Sequence, residues 1–128
     1  MEKWKEIGLI PTGQYETKVI FGEENGLKIE LFNEKHRVFL EFGYIYSFRV
    51  LEEVIVQSGI YDDEVIKKFK ENNFSSVIYK VEQGIYREQV NKISLGFIDM
   101  VEHEHYVIIT QNYNIDIIAK NKVDIKIQ

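Results

Sequence analysis

Between Arg37 and Val50 the chain alternates. Val38, Leu40, Phe42, Tyr44, Tyr46, Phe48 and Val50 are all apolar or aromatic, while Arg37, Phe39, Glu41, Gly43, Ile45, Ser47 and Arg49 are mixed. Successive side chains of a strand point to opposite faces, so a period of two held this long predicts one long strand, or two strands joined at a bend. One face of it is buried. Gly43 has no side chain to pack and marks the bulge or bend. A helix cannot hold this pattern, so the fold must be built on a sheet.

The neighbouring segments extend that sheet. Asn25-Gly26 separates the β-prone runs 18–22 and 27–32, and Asn-Gly tolerates the positive φ of a tight hairpin. With the turn at Asn33-Glu34-Lys35, the first half reads as a three-stranded antiparallel meander. Asp62-Asp63-Glu64 opens a helix to about Glu71, with Asp62 as N-cap and Val65, Ile66 and Phe69 as its apolar stripe. A strand is expected over 76–82. A second helix is expected from Gly84 to about Ile98, with Tyr86, Val90, Ile93 and Phe97 on one stripe. His105–Thr110 is apolar on both faces, as a central strand should be. Strands over 115–119 and 123–127 follow.

The expectation is an α+β domain with a mainly antiparallel sheet of about seven strands. Two helices pack on one face, or the sheet curls into a partly closed barrel. The 128 residues suit a single domain over 1–128, with residues 1–16 as an N-terminal arm around Pro11-Thr12-Gly13.

Composition narrows the function classes. There are 21 acidic and 16 basic residues and a formal net charge of −5, without a basic stripe, which argues against nucleic acid as the partner. No cysteine is present, so disulfides, thiolate catalysis and Cys-based zinc sites are excluded. No apolar run approaches the roughly 20 residues that span a bilayer, so no membrane partner is expected. The charged start Met1-Glu2-Lys3-Trp4-Lys5-Glu6 does not read as a secretion signal, and the expected location is cytoplasmic.

Chemistry-bearing patterns are sparse. His103-Glu104-His105 places two imidazoles on one face of an extended chain, about 7 Å apart, where they could share a divalent ion. No third ligand is specified, and no cofactor is expected. Ser47, Ser58, Ser75, Ser76 and Ser94 lack a partner pattern for nucleophilic catalysis, and no phosphate-binding glycine motif occurs. Two long stretches, 50–66 and 93–119, carry carboxylates but no Lys or Arg. If they meet, Glu52, Glu53, Asp62, Asp63, Glu102, Glu104 and Asp116 form an acidic face that attracts a basic protein. Trp4, Tyr15, Tyr61 and Tyr113 lie outside the periodic strands. Of these, Tyr61 and Tyr113 are the expected interface anchors.

Two segments carry a resemblance. Tyr46-Ser47-Phe48-Arg49-Val50-Leu51-Glu52-Glu53, and His105-Tyr106-Val107-Ile108-Ile109-Thr110-Gln111-Asn112 followed by Ile115-Asp116-Ile117-Ile118, resemble strands of small bacterial proteins that look like immunity proteins of polymorphic toxin systems. That resemblance implies a cytoplasmic, non-enzymatic inhibitor that occludes a toxin. The reading of the residues agrees in class: a non-catalytic protein-binding domain that masks a basic surface. The alternatives are a small metal-dependent enzyme using His103 and His105, and a self-associating domain that forms a homodimer.

Overall fold

The structure, a computed structural model, describes residues 2–7, 10–55, 60–71 and 77–128. Within them the chain forms nine strands and three short α-helices. The strands are β1 (Lys3–Glu6), β2 (Glu16–Gly22), β3 (Gly26–Phe32), β4 (Arg37–Gly43), β5 (Ile45–Glu52), β6 (Ile78–Gln83), β7 (Glu104–Ile109), β8 (Tyr113–Ala119) and β9 (Asp124–Ile127). The helices are α1 (Asp63–Glu71), α2 (Ile85–Ile93) and α3 (Phe97–Met100).

All strand pairings are antiparallel, and they divide into two sheets that do not close into a barrel. One has the order β1-β6-β7-β8-β5 and the other β2-β3-β4-β9. The expected meander is β2-β3-β4. Gly22 pairs with Gly26, so the β2–β3 loop is three residues long. Gly26 takes φ +73°, and a Cβ there would lie 2.1 Å from the Gly43 carbonyl oxygen, so glycine is required on two counts.

The long alternating run is two strands that belong to different sheets. β4 ends at Gly43, whose φ is +67°, and the chain then crosses to start β5. This split accounts for one of the two strands beyond the expected seven. The other is β1, formed by residues read as an arm: Trp4 is buried and β1 pairs with β6. Trp4 packs edge-on against Tyr61, with ring centroids 5.3 Å apart.

The main core lies between the sheets. Leu27, Ile29, Leu31, Val38, Leu40 and Phe42 face Ile78, Tyr106, Ile108, Ile115, Ile117 and Ala119. Full burial of each large aliphatic side chain contributes about 1.5–3 kcal/mol. The opposite face of the five-stranded sheet is covered by the helices. Trp4, Tyr61, Tyr79, Val81 and Val107 pack with Val65 and Ile66 of α1, and Ile118 packs with Tyr86, Val90 and Ile98. Helices therefore cover one face, as expected, but a second sheet takes the other.

The expected second helix breaks in two. Leu95 (φ 58°) and Gly96 (φ 87°) are both left-handed and end α2 before α3 begins. The predicted stripe fails with it: Tyr86 is buried and Val90 packs on the core, but Ile93 and Phe97 are exposed. Ser58, Ser75 and Ser76, the start of the expected strand at 76, and the Phe69 side chain lie outside the described residues. No helix among the described residues is long and apolar enough to cross a membrane.

Candidate functional site

The groups with the most chemical potential converge on the helix-facing side of the five-stranded sheet. Asp116 sits in the middle of β8 with 1% of its surface exposed. β5 places Arg49 directly opposite it. One Arg49 terminal nitrogen donates to Asp116 Oδ2 at 2.6 Å, and the Tyr61 hydroxyl donates to the same oxygen at 2.8 Å. His105, buried on β7, meets Asp116 Oδ1 through Nε2 at 3.0 Å. The Arg49 guanidinium also lies over the Tyr86 ring, 4.4 Å from its centroid, and the Tyr86 hydroxyl bonds Ser47. Among the described residues, His105 Nδ1 and Arg49 Nε are buried without a hydrogen-bond partner.

The electrostatics follow from this packing. Burial pushes the Tyr61 phenol far up, and the negative charge of Asp116 pushes it further, so Tyr61 stays a neutral donor. Burial likewise raises Tyr86, against the opposing bond from Ser47. Burial opposes charge on Arg49, but Asp116 outweighs it and holds the guanidinium protonated. Both Asp116 oxygens are thus occupied by donors, and Ser47 is turned toward Tyr86 rather than toward His105. The arrangement ties strand, helix and loop together and presents no nucleophile to a base.

Two of these residues do not lie on the surface, where the sequence leads one to expect them. Asp116 is not a steering carboxylate, because it is buried and paired with Arg49. Tyr61 is not an exposed anchor, because its ring is in the core against Trp4. Trp4 and Tyr15 are buried as well.

His103 and His105 do not form the pair that their spacing leads one to expect. His105 faces the interior and spends Nε2 on Asp116. His103 precedes β7, donates from Nδ1 to the Val101 carbonyl at 3.0 Å and accepts from Arg87 Nε at 3.3 Å. The two rings serve separate networks. Among the described residues no group of three or more His, Cys, Asp or Glu is arranged to hold a metal ion.

The remaining carboxylates do not form one face. Glu104 pairs with Lys80 at 3.0 Å, and with Glu102 it lies at the start of β7. Glu52 and Glu53 lie at the far end of the same sheet, beside the β7–β8 turn. There Glu52 pairs with Tyr113, and the Glu53 N–H donates to the Asn112 carbonyl at 2.8 Å. Glu52 and Glu53 are exposed, and Tyr113 is 41% exposed. Asp62 caps α1, accepting from the Glu64 N–H at 2.9 Å, with exposed Asp63 next to it. Hydrogen bonds from the Glu2 and Glu64 amides hold the Asp62 carboxyl below the usual carboxylate range.

Sequence reasoning missed Glu2, Arg49, Ser47 and Tyr86. Glu2 is buried, and its carboxylate accepts from the backbone N–H of Asp62 and, at 3.1 Å, from that of Ile85. It thereby serves the N-terminal ends of α1 and α2 together. Arg49 had a signal: a lone acid inside the apolar run Ile115–Ala119 needs a cationic partner. Two surface clefts, of about 500 and 540 Å³, are lined by Gln83, Gly84 and Ile85 with α2, and by Ile20, Phe21 and Gly22 with Lys28 and Glu41. Neither is lined by His105 or Asp116. No protein-family model, no curated protein and no solved structure matches the chain.

Proposed function

We propose that the chain is a non-catalytic protein-binding module that docks a basic surface of another protein, in the manner of an immunity-type inhibitor. The observation that carries this reading is the cluster of exposed Glu52, Glu53 and Tyr113 at one end of the five-stranded sheet. Two carboxylates without an ion-pair partner among the described residues, beside a half-exposed ring, supply steering and an anchor in one place. The occupation of both Asp116 oxygens by Arg49, Tyr61 and His105 supports the non-catalytic part, since the buried carboxylate is committed to the fold. The immunity-type part rests on the resemblance of 46–53 and of 105–118. β5 and β7, which carry much of these segments, both pair with β8.

The test begins with affinity capture from the host lysate and continues with stopped-flow association of the captured partner. Glu52→Lys/Glu53→Lys is expected to slow association about tenfold or more at low salt and to flatten its salt dependence. Tyr113→Ala is expected to act on dissociation instead. On-rates that do not change on charge reversal reject the reading.

Self-association is favoured by a separate observation. Ile93, Leu95 and Met100 stand in solvent at the α2–α3 corner, with Leu95 94% exposed. Sedimentation over a concentration series decides it, because a persistent monomer removes it.

A further inference from the structure

We infer that the outer edge of β5 accepts an extended segment of a partner, one that alternates basic and apolar residues and adds as a further strand. The inference rests on the protein-binding reading above and assigns its docking surface.

β5 is the last strand of its sheet, with β8 on one side. The pairing fixes which of its backbone groups are free. The Glu53 N–H points to Asn112, and Thr110 takes the Tyr113 carbonyl, so Tyr113, Ile115 and Ile117 turn toward β7. Asn114, Asp116 and Ile118 then turn toward β5, and their partners Leu51, Arg49 and Ser47 point inward. By alternation the N–H and C=O groups of Phe48, Val50 and Glu52 point outward. Among the described residues no strand takes them up. An open row of this kind is a template for an added strand.

The side chains beside that row are also suited to a guest. Phe21 of β2 is 54% exposed and its ring lies 5.3 Å from that of Phe48, while Val50 is 40% exposed. β2 is itself the last strand of its sheet, so both sheets end on this side. The Thr17 and Thr110 hydroxyls meet at 3.3 Å toward the Glu52 end. The result is an apolar seam at the mouth of the sandwich, with exposed Glu16, Glu52 and Glu53 around one end. None of these three carboxylates has an ion-pair partner among the described residues. Apolar residues of the guest would enter the seam beside Phe48 and Val50, and a cation where the guest leaves the seam at the Glu52 end would meet the carboxylates gathered there.

The test is a ¹⁵N-resolved titration of the full chain with the synthetic peptide Ac-KVKVKVK-NH₂, with Ac-EVEVEVE-NH₂ as control. The basic peptide is expected to shift and protect the amides of Phe48, Val50 and Glu52 and to perturb Phe21. Two variants are expected to weaken it about tenfold: Val50→Pro, which removes one outward N–H that no strand among the described residues takes up, and Glu52→Gln/Glu53→Gln. The second keeps the test decisive if the proline variant unfolds. Shifts confined to another surface overturn the edge assignment and leave the basic-partner reading standing. Equal binding of the acidic peptide at β5 supports the edge and overturns the electrostatic reading. No response to either peptide at millimolar concentration overturns the inference.

Discussion

The two faces of the five-stranded sheet are made by the same strands and do different work. Toward the second sheet, β7 and β8 present Tyr106, Ile108, Ile115, Ile117 and Ala119, an almost wholly apolar surface. Toward the helices the same strands present His105, Val107, Asp116 and Ile118, with Arg49 arriving from β5. Burial on the first face is non-directional: aliphatic groups there are held by exclusion of water and close packing. On the second face, directed bonds decide the arrangement. Asp116 reaches Tyr61 at the entry to α1, and Arg49 lies over Tyr86 on α2. The contrast teaches that one side supplies most of the burial energy while the other fixes where the helices sit.

The largest expected effect breaks the directed face. Asp116→Ala leaves Arg49 without its carboxylate in a largely buried place, and urea unfolding should show a loss of about 3–5 kcal/mol. Replacing Arg49, His105 and Asp116 together by apolar residues of similar volume should recover most of that loss. A triple variant as unstable as the single one would mean the network itself is a large net stabiliser.

A smaller effect comes from Tyr61→Phe, which removes one donor to Asp116 and should cost about 1.5–3 kcal/mol near neutral pH. The same variant tests the pH dependence. Burial raises the phenols of Tyr61, Tyr86 and Tyr106. A phenol raised on folding contributes stability that is complete below its unfolded value near 10 and is lost as pH climbs above it. The protein should therefore weaken in alkali, and Tyr61→Phe should flatten that decline. An unchanged slope would place the alkaline sensitivity elsewhere. Least costly is Ile117→Val on the apolar face, at about 0.5–1.5 kcal/mol with no change in pH profile.

The apolar face was legible in the sequence because period-two alternation reports burial directly. Val38, Leu40 and Phe42 are where that alternation put them, and His105–Thr110 reads as the central strand that β7 is. The division into two sheets was not legible, since the alternation runs on through Gly43 and says nothing of which partner each half chooses. The polar face was half legible. Asp116, Tyr61 and His105 stand out in the sequence, but as surface groups or metal ligands, because sequence spacing does not reveal that residues 49, 61, 105 and 116 meet. Gly96 puts the last turn of the second helix in doubt from the sequence, but nothing there marks Leu95, because a leucine rarely takes a left-handed backbone. The strand β1 was hidden among charges, only Trp4 of its four residues being buried.

The passage of β4 into β5 through Gly43 has a consequence for how the molecule can come apart. Because a single stretch of chain is stitched into both layers, peeling away either layer pulls on the other. A partner gripping the free margin of β5 would therefore be holding the whole body at a seam, and strain applied there should be felt as far away as the β2–β3 hairpin, whose Gly26 rests on the Gly43 carbonyl.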